Sequence, residues 1–294
     1  MKRLVQTMLA CGLALLTGCS TVRIGYTQLD NIALWTADRY FDLDEQQKKN
    51  FRTRFYRLHE WHRDEQLPDY ATFLEQAKTR LEQGLRADDV LWFLEGIEQR
   101  YVVIVNRGAD DAAAILLTIT PRQLDFVRER WEQLNERFVS DNRLDASVEE
   151  QRQASSQRFM NRFRDWFGDL SEEQERTIRA HVGKMEIIGP LRHEDRLRRQ
   201  REFMRLMQSR ADPGAFKEEL RTWLIRWNAG RSPEYQQAWT RRRDQTIALL
   251  LAVERSLAPE QRAFAARRLQ RYIADFRMLA GRQEVRAAAV QQER

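Results

Sequence analysis

The chain has 294 residues, with 50 Lys and Arg against 44 Asp and Glu, which gives a formal net charge of +6. Only two Cys are present, so a disulfide-rich scaffold is excluded and stability must come from packing. Twelve Gly and six Pro, together with 32% charged residues, favour helices over strands. The nearly balanced charge lacks the basic excess of a nucleic-acid-binding protein.

The N-terminus has the pattern of a bacterial export signal. Met1-Lys2-Arg3 is basic, and residues 4–16 are mostly apolar. This run of about 13 residues is shorter than the ~20 that a membrane span needs, and it suits a signal peptide. It leads into Leu16-Thr17-Gly18-Cys19, a lipobox. We therefore predict a signal peptide over 1–18 and a lipid on Cys19; a plain secretory signal or an uncleaved anchor are the alternatives.

Lipidation would set the location and the first partner of the protein. Loss of Lys2 and Arg3 leaves 48 basic against 44 acidic residues, about +4. Stable anchoring takes more than one acyl chain, and bacterial lipoproteins of this pattern carry several, palmitate among them. Ser20 follows the Cys where Asp would favour inner-membrane retention, so we expect the periplasmic face of the outer membrane. Export also argues against a nucleic-acid partner.

The remainder is predicted to be an all-α multi-helix bundle of about nine or ten helices. Apolar side chains recur at spacings of three and four, as an amphipathic helix requires. Two such stripes, read as core, are Leu124, Val127, Trp131, Leu134, Phe138 and Phe216, Leu220, Trp223, Trp227. Breaks are expected at Leu67-Pro68, where one helix ends and the next opens, and at Gly84 and Gly108. Residues 19–26 are predicted to be a lipidated tether and 281–294 a frayed tail.

Four predicted helices begin with one pattern: an apolar residue, a small residue, two variable residues and Gln. The copies are Leu43-Asp44-Glu45-Gln46-Gln47, Ile119-Thr120-Pro121-Arg122-Gln123, Leu170-Ser171-Glu172-Glu173-Gln174 and Leu257-Ala258-Pro259-Glu260-Gln261. An Asp, Thr or Ser at the N-cap accepts a hydrogen bond from a first-turn N–H, and Gln three residues later reaches back, forming a capping box. Ala258 has no capping oxygen, so the fourth copy is degenerate.

A second motif indicates a duplication. Arg86-Ala87-Asp88 lies between the first two copies of the Gln motif, and Arg210-Ala211-Asp212 lies between the last two. We predict two pseudo-equivalent helical halves, 27–140 and 146–280. Coincidence is the alternative, because Arg and Ala are abundant in this chain.

The Gln motif in an exported helical chain resembles the LTxxQ-motif periplasmic family, whose members are similar to Spy and CpxP. The resemblance implies a curved helical cradle that acts as a chaperone or in envelope stress. This chain departs from the pattern of that family at Ala258 and in its length.

A resemblance over most of the chain is to a proteobacterial family of all-helical lipoproteins of unknown function. The residues that carry it are the lipobox, Tyr26, Asp42-Leu43, Gln47, Trp61-His62-Arg63, Leu67-Pro68 and Tyr70. It implies the location and the fold class, and it supplies no activity.

Trp61, His62, Arg63, Pro68 and Tyr70 form a candidate ligand cluster, because a cation beside aromatic faces suits a ligand. The alternative is that Trp61 packs a joint between helices and Arg63 binds terminal carbonyls. His59 and His62 share a helix face, but two His without a third ligand are weak evidence for a metal site. We predict no metal and no cofactor.

The sequence contains no nucleophile elbow, H-E-x-x-H motif or Gly-rich phosphate loop, so we do not predict an enzyme. The basic runs are Arg196, Arg198, Arg199, Arg201; Arg241-Arg242-Arg243; and Arg267, Arg268, Arg271. They are either solvated helix faces or the lining of a concave surface that holds unfolded or acidic partners. The main expectation is a chaperone-like or envelope-stress binding protein. A structural or assembly lipoprotein with a dedicated envelope partner is the alternative.

Overall fold

The structure, a computed structural model, describes residues 21–281. The predicted signal peptide, Cys19 and the tail beyond Gly281 lie outside the described residues. The α-helices are α1 (Thr21–Thr27), α2 (Leu29–Phe41), α3 (Glu45–Trp61), α4 (Leu67–Gln83), α5 (Ala87–Leu116), α6 (Pro121–Asp141), α7 (Val148–Phe167), α8 (Glu172–Gly183), α9 (Gly189–Gln208), α10 (Pro213–Ile225), α11 (Pro233–Arg255) and α12 (Pro259–Ala280). No strand occurs over 21–281, and the all-α prediction is confirmed.

Side-chain hydrogen bonds cap the N-termini of six of the twelve α-helices over 21–281. The N-cap side chains of Asp44, Thr120 and Ser171 accept hydrogen bonds from the backbone N–H of the Gln three residues on. Further N-caps, which the Gln pattern does not cover, are Ser147 of α7, Asp212 of α10 and Ser232 of α11. Each such cap contributes about 1 kcal/mol. Local sequence therefore sets where these helices begin.

The predicted break at Leu67-Pro68 is wrong, because the helix continues from α3 into α4 through a π-helical turn, His62–Gln66. The backbone N–H of Leu67 bonds to the carbonyl of His62, five residues earlier. Pro68 has no N–H to donate, and its ring would crowd the carbonyl four residues before it in a regular α-helix. The wider π turn accommodates the Pro without ending the helix.

Gly108 does not break a helix either, since it lies inside α5. A Cβ at this position would lie 3.2 Å from Cδ2 of Leu58, so the residue is small because α3 and α5 approach closely. Gly84 does end α4, with φ +92°, a backbone angle that Gly adopts at no steric cost. Gly is therefore used for packing at one site and for a turn at the other.

The segment expected to be a tether is helical where the structure describes it. Helix α1 lies against α12, and its Tyr26 contacts His62 of the π turn. Arg23 pairs with Asp275 at 3.0 Å, and the Tyr26 hydroxyl bonds to Nδ1 of His62 at 2.8 Å. Residues 21–26 of the predicted tether are therefore part of the folded body.

Two buried apolar cores form, and each takes helices from both predicted halves. The first core contains Leu34, Leu43, Ala113, Leu116, Ile119, Leu124, Phe203, Leu206, Met207, Phe216 and Leu220. The second core contains Leu81, Met160, Phe163, Phe167, Ile178, Val182, Met185, Leu249, Val253, Ala265 and Leu269. Helix α4 crosses to the second core, where it packs along α12, while α9 and α10 cross to the first.

Burial of a large aliphatic side chain stabilises a fold by about 1.5–3 kcal/mol. Since both cores are shared, neither half buries its apolar residues alone. Among residues 21–281, no helix is both long enough and apolar enough to cross a membrane.

Candidate functional site

The four Gln motifs meet in two reciprocal pairs. Gln47 donates an amide N–H to Oε1 of Gln123 at 3.1 Å, and Gln123 donates to Oε1 of Gln47 at 2.7 Å. Each Oε1 also accepts the N–H of its own N-cap residue, Asp44 at 3.0 Å and Thr120 at 2.9 Å. Each motif thus caps its own helix and binds the start of another.

The second pair repeats this arrangement. Gln174 donates to Oε1 of Gln261 at 2.8 Å, and Gln261 donates back at 3.1 Å. Although Ala258 has no capping side chain, its N–H still donates to Gln261 at 3.0 Å. The degenerate fourth copy therefore keeps one of the two hydrogen bonds of a capping box, the one from the N-cap N–H to the Gln side chain.

Each Gln amide also donates to the carbonyl oxygen two residues before the partner helix's N-cap. The acceptors are Thr118 for Gln47, Asp42 for Gln123, Ser256 for Gln174 and Asp169 for Gln261. The apolar first residues pack beside the pairs, with Leu43 buried in the first core and Leu257 against the second. The four Gln side chains thus hold helix starts together, and their amide groups are engaged in these hydrogen bonds.

The candidate ligand cluster lies at the π turn, where its side chains mostly contact neighbouring residues outside the cluster. The ring of Tyr70 meets the edge of His62 at 5.3 Å, and Arg63 pairs with Glu60 at 2.6 Å. Arg107 of α5 lies 5.7 Å from the Trp61 ring centroid. Pro68 lies in the first turn of α4. These contacts make the cluster a joint between α1, α3, α4 and α5.

Burial gives this joint perturbed pKa values. It lowers the pKa of His62 to about 4, with a smaller effect from the neighbouring His59. Burial also raises the pKa of the Tyr26 hydroxyl well above its usual value, against the opposing charge of Arg63. At neutral pH both groups are therefore uncharged, and they share the hydrogen bond between the Tyr26 hydroxyl and Nδ1 of His62.

His59 and His62 do not converge on one point. Nδ1 of His59 lies 2.7 Å from Asp30, and Nδ1 of His62 lies 2.8 Å from Tyr26. The Tyr26 ring packs on His59, with centroids 4.6 Å apart. The part of the chain that the structure describes contains no group of three His, Cys, Asp or Glu arranged to hold a metal.

A long groove runs between α5 and α11, and we call it the α5–α11 groove. Its walls are residues 90–101 of α5, the turn at 227–231 and residues 236–250 of α11. Five large apolar or aromatic side chains in it are exposed: Leu94, Ile97, Tyr101, Trp227 and Trp239. Its volume, about 1420 Å³, exceeds the roughly 300–1,000 Å³ of a small-molecule pocket. The groove has the size and openness for a polypeptide segment.

Arg231 forms the base of one end of the groove. Its guanidinium lies 4.3 Å from the Trp227 ring, 4.8 Å from Tyr235 and 5.1 Å from Trp239. The side chain is buried and approaches Asp195 at 3.5 Å. Stacking a guanidinium on aromatic faces fixes the rings while leaving their outer edges available. Trp227 and Trp239 are thereby held as a rigid aromatic wall.

Charges of both signs line the remaining walls. Glu95 and Glu98 lie on α5, and Arg242 and Arg243 lie on α11. Arg242 is half-buried and donates to the carbonyl of Glu186 at 2.9 Å, whereas Arg243 is exposed beside Asp244. The groove is thus lined by large apolar side chains together with charged groups of both signs.

The other basic runs are less accessible than the sequence suggests. Arg198 bonds to Asp195 and Glu202, and Arg199 lies 3.7 Å over the Trp223 ring. Arg268 lies 5.1 Å over the Trp166 ring. Successive Arg residues on a helix point in different directions. A basic run is therefore neither wholly a solvated face nor wholly the lining of a concave surface.

Residues 39–236 match the model of DUF6279, a family of unknown function. The chain belongs to this family. The matched range takes in three of the four paired Gln residues, Gln47, Gln123 and Gln174, and stops before α12. It also includes the whole α5 wall of the groove and the Trp227 turn. Membership in the DUF6279 family supplies no activity.

No curated protein matches the chain significantly. No solved structure matches it significantly either.

Sequence reasoning missed the groove and misplaced one of its residues. Trp227 was predicted to continue the core stripe of α10, but α10 ends at Ile225, and Trp227 lies exposed beyond it. The sequence signal for this change is Gly230, whose φ of +74° closes the turn that contains Trp227. The position of α11 opposite α5 has no local signature in the sequence.

Proposed function

We propose that this protein is a lipid-anchored periplasmic binding protein of the outer membrane, which holds apolar segments of unfolded proteins in the α5–α11 groove. The observation that carries the proposal is the exposure of Leu94, Ile97, Trp227 and Trp239 along one open groove. Contiguous exposed apolar surface with a polar rim is typical of protein interaction sites in soluble domains.

The groove's chemistry favours loose contact with many sequences. Its large aromatic side chains offer apolar area with little hydrogen-bonding demand, so a bound segment needs no particular polar sequence. Arg243 and Glu98 on opposite walls give short-range attraction for either charge sign. An open groove also allows a client to leave, because it buries only one side of an extended chain. Resemblance to the LTxxQ-motif family supports the same activity.

The anchoring part of the proposal rests on the sequence. The basic start, the apolar run and the lipobox together support a lipid on Cys19. Ser20 supports the outer membrane by analogy with bacterial lipoproteins. Exposed apolar surface would invite aggregation of a free protein at high concentration. A lipid anchor would disperse the molecules over a membrane.

We also infer that residues 27–140 and 146–280 are two copies of one ancestral unit. The two Gln pairs support this inference, because each pair lies within one half and uses the same acceptor position, two residues before the N-cap. The packing supports the inference as well. Helix α4 of the first half packs in the second core, and α9 and α10 of the second half pack in the first core.

The direct test is suppression of client aggregation by the soluble body, residues 20–294. We expect the wild-type body to suppress aggregation of a chemically denatured client at near-stoichiometric ratio. Charges introduced by the double substitution Ile97→Asp and Trp239→Asp should raise the concentration needed by at least about fivefold, the equivalent of about 1 kcal/mol. The matched control is Val148→Asp, which is equally exposed but lies outside the groove.

Equal suppression by the wild type and the groove variant would refute client binding in the groove. Absence of suppression, together with one specific protein that co-purifies with the native lipoprotein, would support the alternative of an assembly lipoprotein with a dedicated partner.

A further inference from the structure

Helices α1 and α2 present a continuous exposed face near the predicted lipid. The exposed residues of 22–41 recur at spacings of three, four and one, which place them on one side of a helix: Ile24, Thr27, Gln28, Asn31, Ile32, Trp35, Thr36 and Arg39. Three of them are large and apolar, and they are 56% (Ile24), 46% (Ile32) and 58% (Trp35) exposed. Such surface has an unfavourable free energy in water.

None of the eight exposed residues of this face is acidic, although the side chains of Asp30 (42%) and Asp38 (37%) are partly exposed. The acidic residues of the two helices bind groups of the body instead: Asp30 contacts His59 of α3 at 2.7 Å, and Asp38 accepts from the backbone N–H of Leu43 at 3.0 Å. The one formal charge on the face is Arg39, whose guanidinium lies 4.5 Å over the Trp35 ring. Trp and Arg beside Ile, with hydroxyl and amide groups between them, is the composition of a helix lying in a membrane interface.

The distance to the lipid is short. Cys19 is two residues before Thr21, the first residue of α1, and two extended residues span at most about 7 Å. A lipid on Cys19 would therefore hold the start of α1 at the bilayer surface. Because Arg23 and Tyr26 fix α1 to the body, α1 cannot swing away while the body stays folded.

We propose that this α1–α2 face, with Ile24, Ile32, Trp35 and Arg39, lies in the headgroup region of the phospholipid bilayer that anchors the protein. The inference rests on the lipidation of Cys19 in the proposed function. Insertion of the face would add a second membrane contact to the acyl chains and would fix the orientation of the body. The occupant of the face is the bilayer, and a second protein molecule is an outcome that the experiment distinguishes.

The test uses the native lipoprotein, in which the lipid blocks the sulfur of Cys19. The mature chain has no other Cys, so an introduced Cys is its only free thiol. Ile32→Cys and Trp35→Cys are labelled with an environment-sensitive fluorophore, and the proteins are reconstituted in vesicles of phosphatidylethanolamine and phosphatidylglycerol. Val103→Cys on α5, which is similarly exposed, is the control.

We expect a nitroxide carried on the lipid headgroup to quench the probes at positions 32 and 35 by at least about twofold more than the probe at 103, as an interfacial helix requires. Substituting Trp35→Glu in the Ile32→Cys protein should reduce this quenching while the lipid still holds the protein on the vesicle. Equal quenching at all three positions would overturn the proposal. So would self-quenching that depends on protein density without any effect of lipid nitroxide, because it would show a second copy on the face.

A protein without the lipid on Cys19 would be recognised by a separate control, the reactivity of its thiol. Wild-type protein purified from membranes would then react with the thiol probe at Cys19 before any Cys is introduced. Blocked Cys19 with unquenched probes at 32 and 35 would refute the interfacial face alone.

Discussion

Gln47 and Gln123 each donate a side-chain N–H to the other's carbonyl, at 3.1 and 2.7 Å, although 76 residues separate them. Both side chains are buried. The orientation of each amide is fixed, because its oxygen accepts an N-cap N–H and its nitrogen donates to a backbone carbonyl. A local capping signal is thereby also a tertiary contact.

Substituting Gln47→Ala should therefore cost more than a helix cap. It removes the acceptor of the Asp44 N–H and leaves the amide of Gln123 and the carbonyl of Thr118 with fewer partners. Each buried polar group left unsatisfied costs about 1–3 kcal/mol, so we expect a loss of about 2–4 kcal/mol. The measurement is urea unfolding of the soluble body.

Gln46→Ala provides the matched control for this substitution, because Gln46 is the neighbouring residue but is exposed. We expect a change within about 0.5 kcal/mol. Similar losses for the two variants would show that helix propensity, and not the reciprocal pair, accounts for the effect.

A second prediction concerns the contact between α4 and α5. A Cβ at Gly96 would lie 2.4 Å from Cε2 of Phe73, whose ring stacks on Phe93 and lies under Arg100. Because the ring is held on several sides, Gly96→Ala should destabilise the fold by about 1–3 kcal/mol despite the better helix propensity of Ala. Thermal unfolding measures this change.

Gly183→Ala is the comparison for Gly96→Ala, since Gly183 ends α8 and a Cβ there meets nothing within 4 Å. We expect it to be neutral or to stabilise the protein by up to about 1 kcal/mol. A stabilising effect at Gly96 would contradict the close approach of the two helices.

The π turn should make stability depend on pH. The pKa of His62 is about 4 in the folded protein, below its ordinary value of 6.5. Between these pH values the unfolded chain binds more protons, so stability rises with pH. The contribution of the neutral ring is fully present above about pH 6.5 and is lost as the pH falls toward 4. Because His62 is only partly buried, we expect a loss on the order of 1–2 kcal/mol.

The pH effect is measured as the free energy of unfolding at pH 7 and at pH 4.5 in the wild type and in His62→Gln. Gln can still form a hydrogen bond with the Tyr26 hydroxyl, as donor or acceptor, but does not titrate in this range. The wild type should lose more stability than the variant. An equal loss in both would assign the effect to other groups, such as the carboxylates around the turn.

Local features of this fold were predictable from the sequence, and the long-range ones were not. The N-caps at Asp44, Thr120 and Ser171 follow from side-chain chemistry within four residues. Pairing of Gln47 with Gln123 depends on the path of the chain between them, for which capping chemistry gives no information.

The predictions that Pro68 and Gly108 would interrupt helices were wrong for a related reason. Pro68 lies within a continuous helix because a π turn precedes it, and Gly108 lies within α5 because Leu58 of another helix packs against it. The sequence shows that both residues are unusual in helices, but only the packing shows which structural need each one meets. The α5–α11 groove depends on two helices far apart in the chain, so composition alone did not reveal it.

The most direct measurement of the central claim is photo-crosslinking of the native lipoprotein in living cells. A photoreactive phenylalanine analogue is placed at Leu94, at Trp239 or at the control position Val148. We predict crosslinks from both groove positions to proteins of many sizes, more abundant when envelope proteins are unfolded, and few from Val148. Groove positions that crosslink no more than Val148, or that give one band of constant size, would contradict the binding of unfolded clients.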